Sequence, residues 1–103
     1  MFLLQKSSEA KRIYCTILNA KSNSDGYKVE GITFPSLVGQ KNLVSAVYQE
    51  VGIDPSTIDY IEAHCTGTAA GDPVEMNAMY DVICERKSTT NPLHIGCLKS
   101  NMG

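Results

Sequence analysis

No apolar run in this sequence approaches the roughly 20 residues that a membrane-spanning helix requires. Its apolar opening, Met1-Phe2-Leu3-Leu4, gives way at once to Gln5-Lys6-Ser7-Ser8, which is too short for the core of an export signal. The expected compartment is therefore the cytoplasm, with no membrane partner. CxxC and HxxxH pairs are also missing, and His94 with Cys97 is too little to hold zinc, so no metal is expected. The chain lacks a Walker motif, and the stretch from Gly67 to Gly71 is not GxGxxG, so nothing indicates a nucleotide. Basic clusters are lacking as well. Lys11-Arg12 and Arg86-Lys87 are isolated pairs in a chain of net charge −2, which argues against a nucleic-acid partner. The four cysteines, Cys15, Cys65, Cys84 and Cys97, are irregularly spaced, and without an export signal they are expected to be reduced thiols.

What remains is 103 residues, enough for one small domain, with an ordinary 43% of hydrophobic residues. Met1 to Leu4 and Ile13 to Leu18 have strand-like composition, and the short polar link between them suggests an antiparallel hairpin. Asn19 to Ser36 is dense in loop formers (Asn23, Asp25, Gly26, Gly31, Pro35). So long an irregular stretch suggests a functional loop or a seam between two structural halves.

Gln40 to Val51 reads as a helix, because Val44, Val47, Tyr48 and Val51 follow helical spacing, Leu43 widens the stripe, and Gly52 supplies a stop. Ile58 to Ala63 reads as a strand ending at His64. A loop of small residues follows, and Asp72-Pro73-Val74-Glu75 opens a second helix, with Asp72 expected to cap it and Glu75 to reach back. Met76, Met79, Tyr80 and Ile83 should share its core face. Leu93 to Leu98 reads as another strand, ending at Lys99. Strand, helix, strand makes a βαβ crossover with parallel strands, hence an α/β fold. In such sheets ligands bind beyond the carboxyl ends of the strands. His64 and Lys99 both stand there, beside a loop whose Thr66 and Thr68 offer hydroxyls to a polar, extended ligand.

The stretch Ile61-Glu62-Ala63-His64-Cys65-Thr66-Gly67-Thr68, followed by Gly71-Asp72-Pro73-Val74-Glu75, resembles the EAHGTGT…GDPxE signature of β-ketoacyl synthases. Leu98-Lys99-Ser100-Asn101-Met102-Gly103 resembles the KSNxGH signature of the same family, cut before its histidine. Leu18-Asn19-Ala20, Asp25-Gly26 and Thr33-Phe34-Pro35-Ser36 resemble the segment before these signatures. The Asn-Ser-Asp-Gly-Tyr and Thr-Phe-Pro-Ser stretches look most like the condensing domain of animal-type fatty acid synthases.

The resemblance implies a thiolase-like α/β fold, present in part. Residues 1–35 would be the end of the first half with its connecting loop, and residues 36–103 the start of the second. It implies a decarboxylative condensation of an acyl thioester with a malonyl thioester carried on the phosphopantetheine of an acyl carrier protein. No cofactor is bound by this segment itself. His64 would be one of two histidines that hydrogen-bond the thioester carbonyl, and Lys99 the supporting lysine. Thr66 and Thr68 would hold the pantetheine arm. Acyl carrier protein, the rest of the synthase polypeptide and a second copy in a homodimer are the implied partners.

Two departures stand out. Cys65 replaces the family glycine after the histidine, and Ala69 follows Thr68 where the family often has lysine. None of the four cysteines has the Ala-Cys-Ser-Ser setting of the family nucleophile, so Cys65 is not expected to be one, and the 103 residues alone are expected to be inactive and poorly soluble. Two further readings stay open: a polyketide synthase segment, and a non-catalytic protein that binds carrier proteins or the parent enzyme.

Overall fold

Ser36 starts the first helix. Its backbone is extended, with φ −89° and ψ 114°, and its hydroxyl accepts the N–H of Gly39, which fills one of the open donors of the first turn. Helix α1 then runs Leu37–Val51 in the computed structural model, which describes residues 3–102. It begins three residues before the expected Gln40, because the cap lies at Ser36 rather than nearer the apolar stripe. Gly52 ends it in the left-handed conformation at φ 66°, with its N–H donating to Gln49.

A short 3₁₀ turn, Pro55–Thr57, leads into β1, Tyr60–Glu62. Helix α2, Gly71–Val82, crosses to β2, His94–Gly96, and α3, Lys99–Met102, follows. The two strands are parallel, with Tyr60 opposite His94, Ile61 opposite Ile95 and Glu62 opposite Gly96. The crossover is therefore the βαβ unit expected from the pattern, although both strands are shorter than their apolar runs. The ladder is extended on each side by His94 N–H to the Asp59 carbonyl and Ala63 N–H to the Gly96 carbonyl.

Helix α2 packs on α1, with Lys41 and Asp81 joined at 2.7 Å across them. Ala63, Ala78 and Ile83 form the buried core. Ala78 lies within α2 and Ile83 just past its end, so the C-terminal end of α2 is the part that is buried. Tyr80 does not join that core, being 60% exposed at the flank of the Met76, Met79, Ile83 stripe.

The expected N-terminal hairpin does not form. Residues 3–36 contain no strand, and Met1 and Phe2 lie outside the described residues. The physical reason is the absence of anything to pack against: Tyr14 is 83% and Ile32 97% exposed, and a two-stranded hairpin without a third strand or a helix on its face is not stable. Polar side chains instead tie the later part of this arm to α1. Asn19 donates to the Val47 carbonyl and to Glu50, Lys21 pairs with Glu50, and Asn23 donates to the Gly39 carbonyl at 2.8 Å. Asp25 accepts the Ser36 N–H at 2.9 Å and holds Lys28 at 2.5 Å.

Candidate functional site

The loop between β1 and α2 is held by two carboxylates from the first turns of α2. Glu75 accepts the backbone N–H of His64 at 2.7 Å and that of Cys65 at 2.9 Å. Asp72 accepts those of Gly67, at 3.1 Å, and Thr68, at 3.3 Å. Four amides of one loop are thus satisfied by two charged acceptors, which hold more strongly than neutral ones. This corrects the expected capping roles: neither carboxylate caps α2. Thr68 does that work, its Oγ1 accepting the Gly71 N–H at 3.0 Å and its carbonyl accepting the Asp72 N–H. The sequence offered a sign of this, since a threonine three residues before Gly71 supplies a cap and frees the acids to face the loop.

Two positions in the loop have positive φ. Gly67, at 80°, takes it without a Cβ penalty. Cys65, at 34°, is the one non-glycine residue of the described chain to do so. Burial pushes the Cys65 thiol above its usual range, and the charges of Glu75 and Asp72 add to this. A raised thiol pKa disfavours the thiolate, which is the nucleophilic form. Cys97 packs beneath, its Sγ 3.4 Å from the Cys65 carbonyl and 3.5 Å from that of His64.

His64, Thr66 and Thr68 line one open cleft of about 520 Å³, closed on its far side by Gln40, Leu43 and Val44 of α1 and by Thr33 and Pro35 before it. Glu75 and Asp72 reach the same cleft. Lys99 does not line it. It is exposed at the start of α3, past the carboxyl end of β2. The structure therefore gathers three of the four candidate residues and sets the fourth at the same sheet edge. Because Thr68 Oγ1 is engaged as an acceptor, that hydroxyl offers its O–H to a ligand, as a donor. Among the described residues, no group of three His, Cys, Asp or Glu side chains is arranged to hold a metal. No described helix is long and apolar enough to cross a membrane.

Glu62 was missed at the sequence level. Its Oε1 accepts the Leu98 N–H at 2.6 Å, and its Oε2 accepts the Tyr60 hydroxyl. The Tyr60 bond, then the Leu98 bond, holds its carboxyl below the usual range. A carboxylate at the last position of a strand, next to a second strand that leads into a lysine, is the signal that could have found it.

The parallel βαβ unit, with its histidine loop clamped at the carboxyl edge, is part of a thiolase-like α/β fold of the ketosynthase type. A ketosynthase from module 6 of the bacillaene synthase of Bacillus subtilis 168 superposes with a TM-score of 0.70 at 43% identity, over 79% of this chain and 14% of that one. Residues 14–103 match the model of the β-ketoacyl synthase C-terminal domain, and the chain belongs to that family. A fatty acid synthase of Anser anser anser is 54% identical over 98% of this chain. The highly reducing polyketide synthase 40 of Fusarium pseudograminearum is 43% identical over 92%. The chain spans 28% of the length of the first of these relatives and 4% of the second.

Proposed function

We propose that this segment supplies the histidine and lysine side of a condensing site in a fatty acid synthase, an acyltransferase acting in the cytoplasm. The observation that carries the reading is the cleft in which His64, Thr66 and Thr68 converge above a loop fixed by Glu75 and Asp72. The higher identity to a fatty acid synthase than to the polyketide synthase supports the fatty-acid product class.

In the proposed reaction, the malonyl thioester loses CO2 by breaking the bond to its carboxylate. The electron pair moves onto the thioester as an enolate. The His64 imidazole N–H donates to the enolate oxygen as charge grows there, which is where a fixed donor has most effect. The enolate carbon then attacks the carbonyl of an acyl thioester, and the thiolate leaves. Lys99 favours the same charge from the neighbouring strand end. Thr66 and Thr68 offer hydrogen bonds to the pantetheine arm delivered by an acyl carrier protein. Residues 1–35 act as the end of the first thiolase-like half with its connection, and residues 36–103 as the start of the second. Exposed apolar side chains such as Tyr14, Tyr27 and Ile32 support packing against the rest of the synthase polypeptide, which works as a homodimer.

The test replaces His64 by Ala in the full synthase carrying this segment. CO2 release from malonyl thioester should fall by about 100-fold or more, while acyl loading of the enzyme persists. Normal decarboxylation in His64→Ala would remove this histidine from the mechanism.

A further inference from the structure

Tyr60 and Glu62 are two residues apart on β1, so they project from the same face of the sheet. Glu62 pairs in register with Gly96, the residue at which β2 ends. A Cβ added to Gly96 would fall within 3.1 Å of the Tyr60 ring and into its hydroxyl, so the ring lies across the bare backbone of that glycine. From there the Tyr60 hydroxyl reaches Glu62 Oε2, and Glu62 Oε1 takes the Leu98 N–H at 2.6 Å. The next peptide, Leu98–Lys99, is fixed too, the Leu98 carbonyl accepting the Asn101 N–H at 2.9 Å, while the Ser100 hydroxyl donates to the Cys97 carbonyl at 2.7 Å. Lys99 is the residue between these anchors.

We propose that Glu62, oriented by the Tyr60 hydroxyl, is the positioning residue that sets the backbone carrying Lys99 at the sheet edge beside the condensing site. Glu62 touches no substrate in this account and acts only through Lys99. The inference rests on the reading of Lys99 as a site residue. A carboxylate suits the task because it accepts from Tyr60 and Leu98 at once, and a charged acceptor gives short, strong bonds. Gly96 suits it because any side chain there would push the tyrosine away.

The experiment is a double-mutant cycle on malonyl decarboxylation by the full synthase carrying this segment. It compares Glu62→Gln, Lys99→Ala and the pair. Glu62→Gln should lower kcat about tenfold or more, as expected for a misplaced group, with KM for the malonyl thioester nearly unchanged. In the Lys99→Ala background it should cost nothing further, since the residue it positions is gone. Tyr60→Phe keeps the ring over Gly96 and removes only the donor. It guards against a folding failure and should show the same pattern with a loss of about threefold. Full activity of Glu62→Gln and Tyr60→Phe beside an impaired Lys99→Ala would overturn the positioning role alone. Losses that multiply in the double mutant would also overturn it, because they would show a structural effect independent of the lysine. Normal decarboxylation by Lys99→Ala would overturn the reading of Lys99 and the inference with it.

Discussion

Cys65 holds a backbone φ of 34°, where a Cβ meets the neighbouring carbonyl and glycine does not. The loop accepts this strain because Glu75 grips the amides on either side of the His64 carbonyl, and the amide of Cys65 is one of them. Replacing Cys65 by Gly should relieve the strain and raise stability by about 1 kcal/mol, the lower end of the usual cost of such a residue. The half-buried thiol gives up some packing, which keeps the gain small. A higher urea midpoint at unchanged slope is the expected result. A lower midpoint would mean that packing of the thiol outweighs the backbone strain. At this scale the sequence was informative about residue types and less so about roles. The meeting of His64, Thr66 and Thr68 in one cleft was legible because a signature and a strand end coincide there. The work of Glu75, Asp72 and Glu62 was not, because each accepts from amides at least four residues away, and only the folded path of the chain brings those together.

Between β1 and α2 the loop and the helix stabilise one another. The helix supplies two carboxylates to the loop, and the loop returns Thr68 as the helix cap. Glu75→Gln leaves an amide oxygen for one of the two N–H groups and turns an amide N–H₂ toward the other. The lost charge-assisted bond should cost about 2 kcal/mol, read as a lower urea midpoint, together with slower decarboxylation because His64 loses its fixed backbone. Unchanged stability would show that water replaces the carboxylate at no cost. The elements themselves followed from local rules. Helix α1 sits between the Ser36 cap and the Gly52 stop, and the crossover follows from two apolar runs flanking a helix. The hairpin predicted to pair Met1–Leu4 with Ile13–Leu18 is absent from the described residues for the opposite reason. Its β-rich composition is local, while strand pairing needs a covering surface that composition cannot report.

Across the whole molecule, the arm before α1 is held by charge and hydrogen bonds rather than by burial. The Cα radius of gyration is 15.8 Å, against about 13 Å for a packed domain of 100 residues, and the arm's large apolar side chains are exposed. Two carboxylates tie it down. Lys28, then the Ser36 N–H, holds the Asp25 carboxyl below its ordinary range, and Lys21, then Asn19, does the same for Glu50. A carboxyl with a depressed folded pKa contributes stability that is fully present above the unfolded value and is lost as pH falls through the folded one. The attachment should therefore be intact above the ordinary carboxylate range, near about pH 4, and should loosen at pH values below it. Both groups are exposed, so salt should weaken the same contacts at neutral pH. Hydrogen exchange, corrected for the intrinsic rate and compared at about pH 6 and about pH 3, should show the Ser36 amide and the first turn of α1 losing protection in acid. Asp25→Asn should give the acid-like exchange at both pH values, because its side chain cannot hold Lys28 as an ion pair. Equal protection of Ser36 at the two pH values in the unmodified chain would mean that packing, and not the Asp25 carboxylate, holds the arm in place.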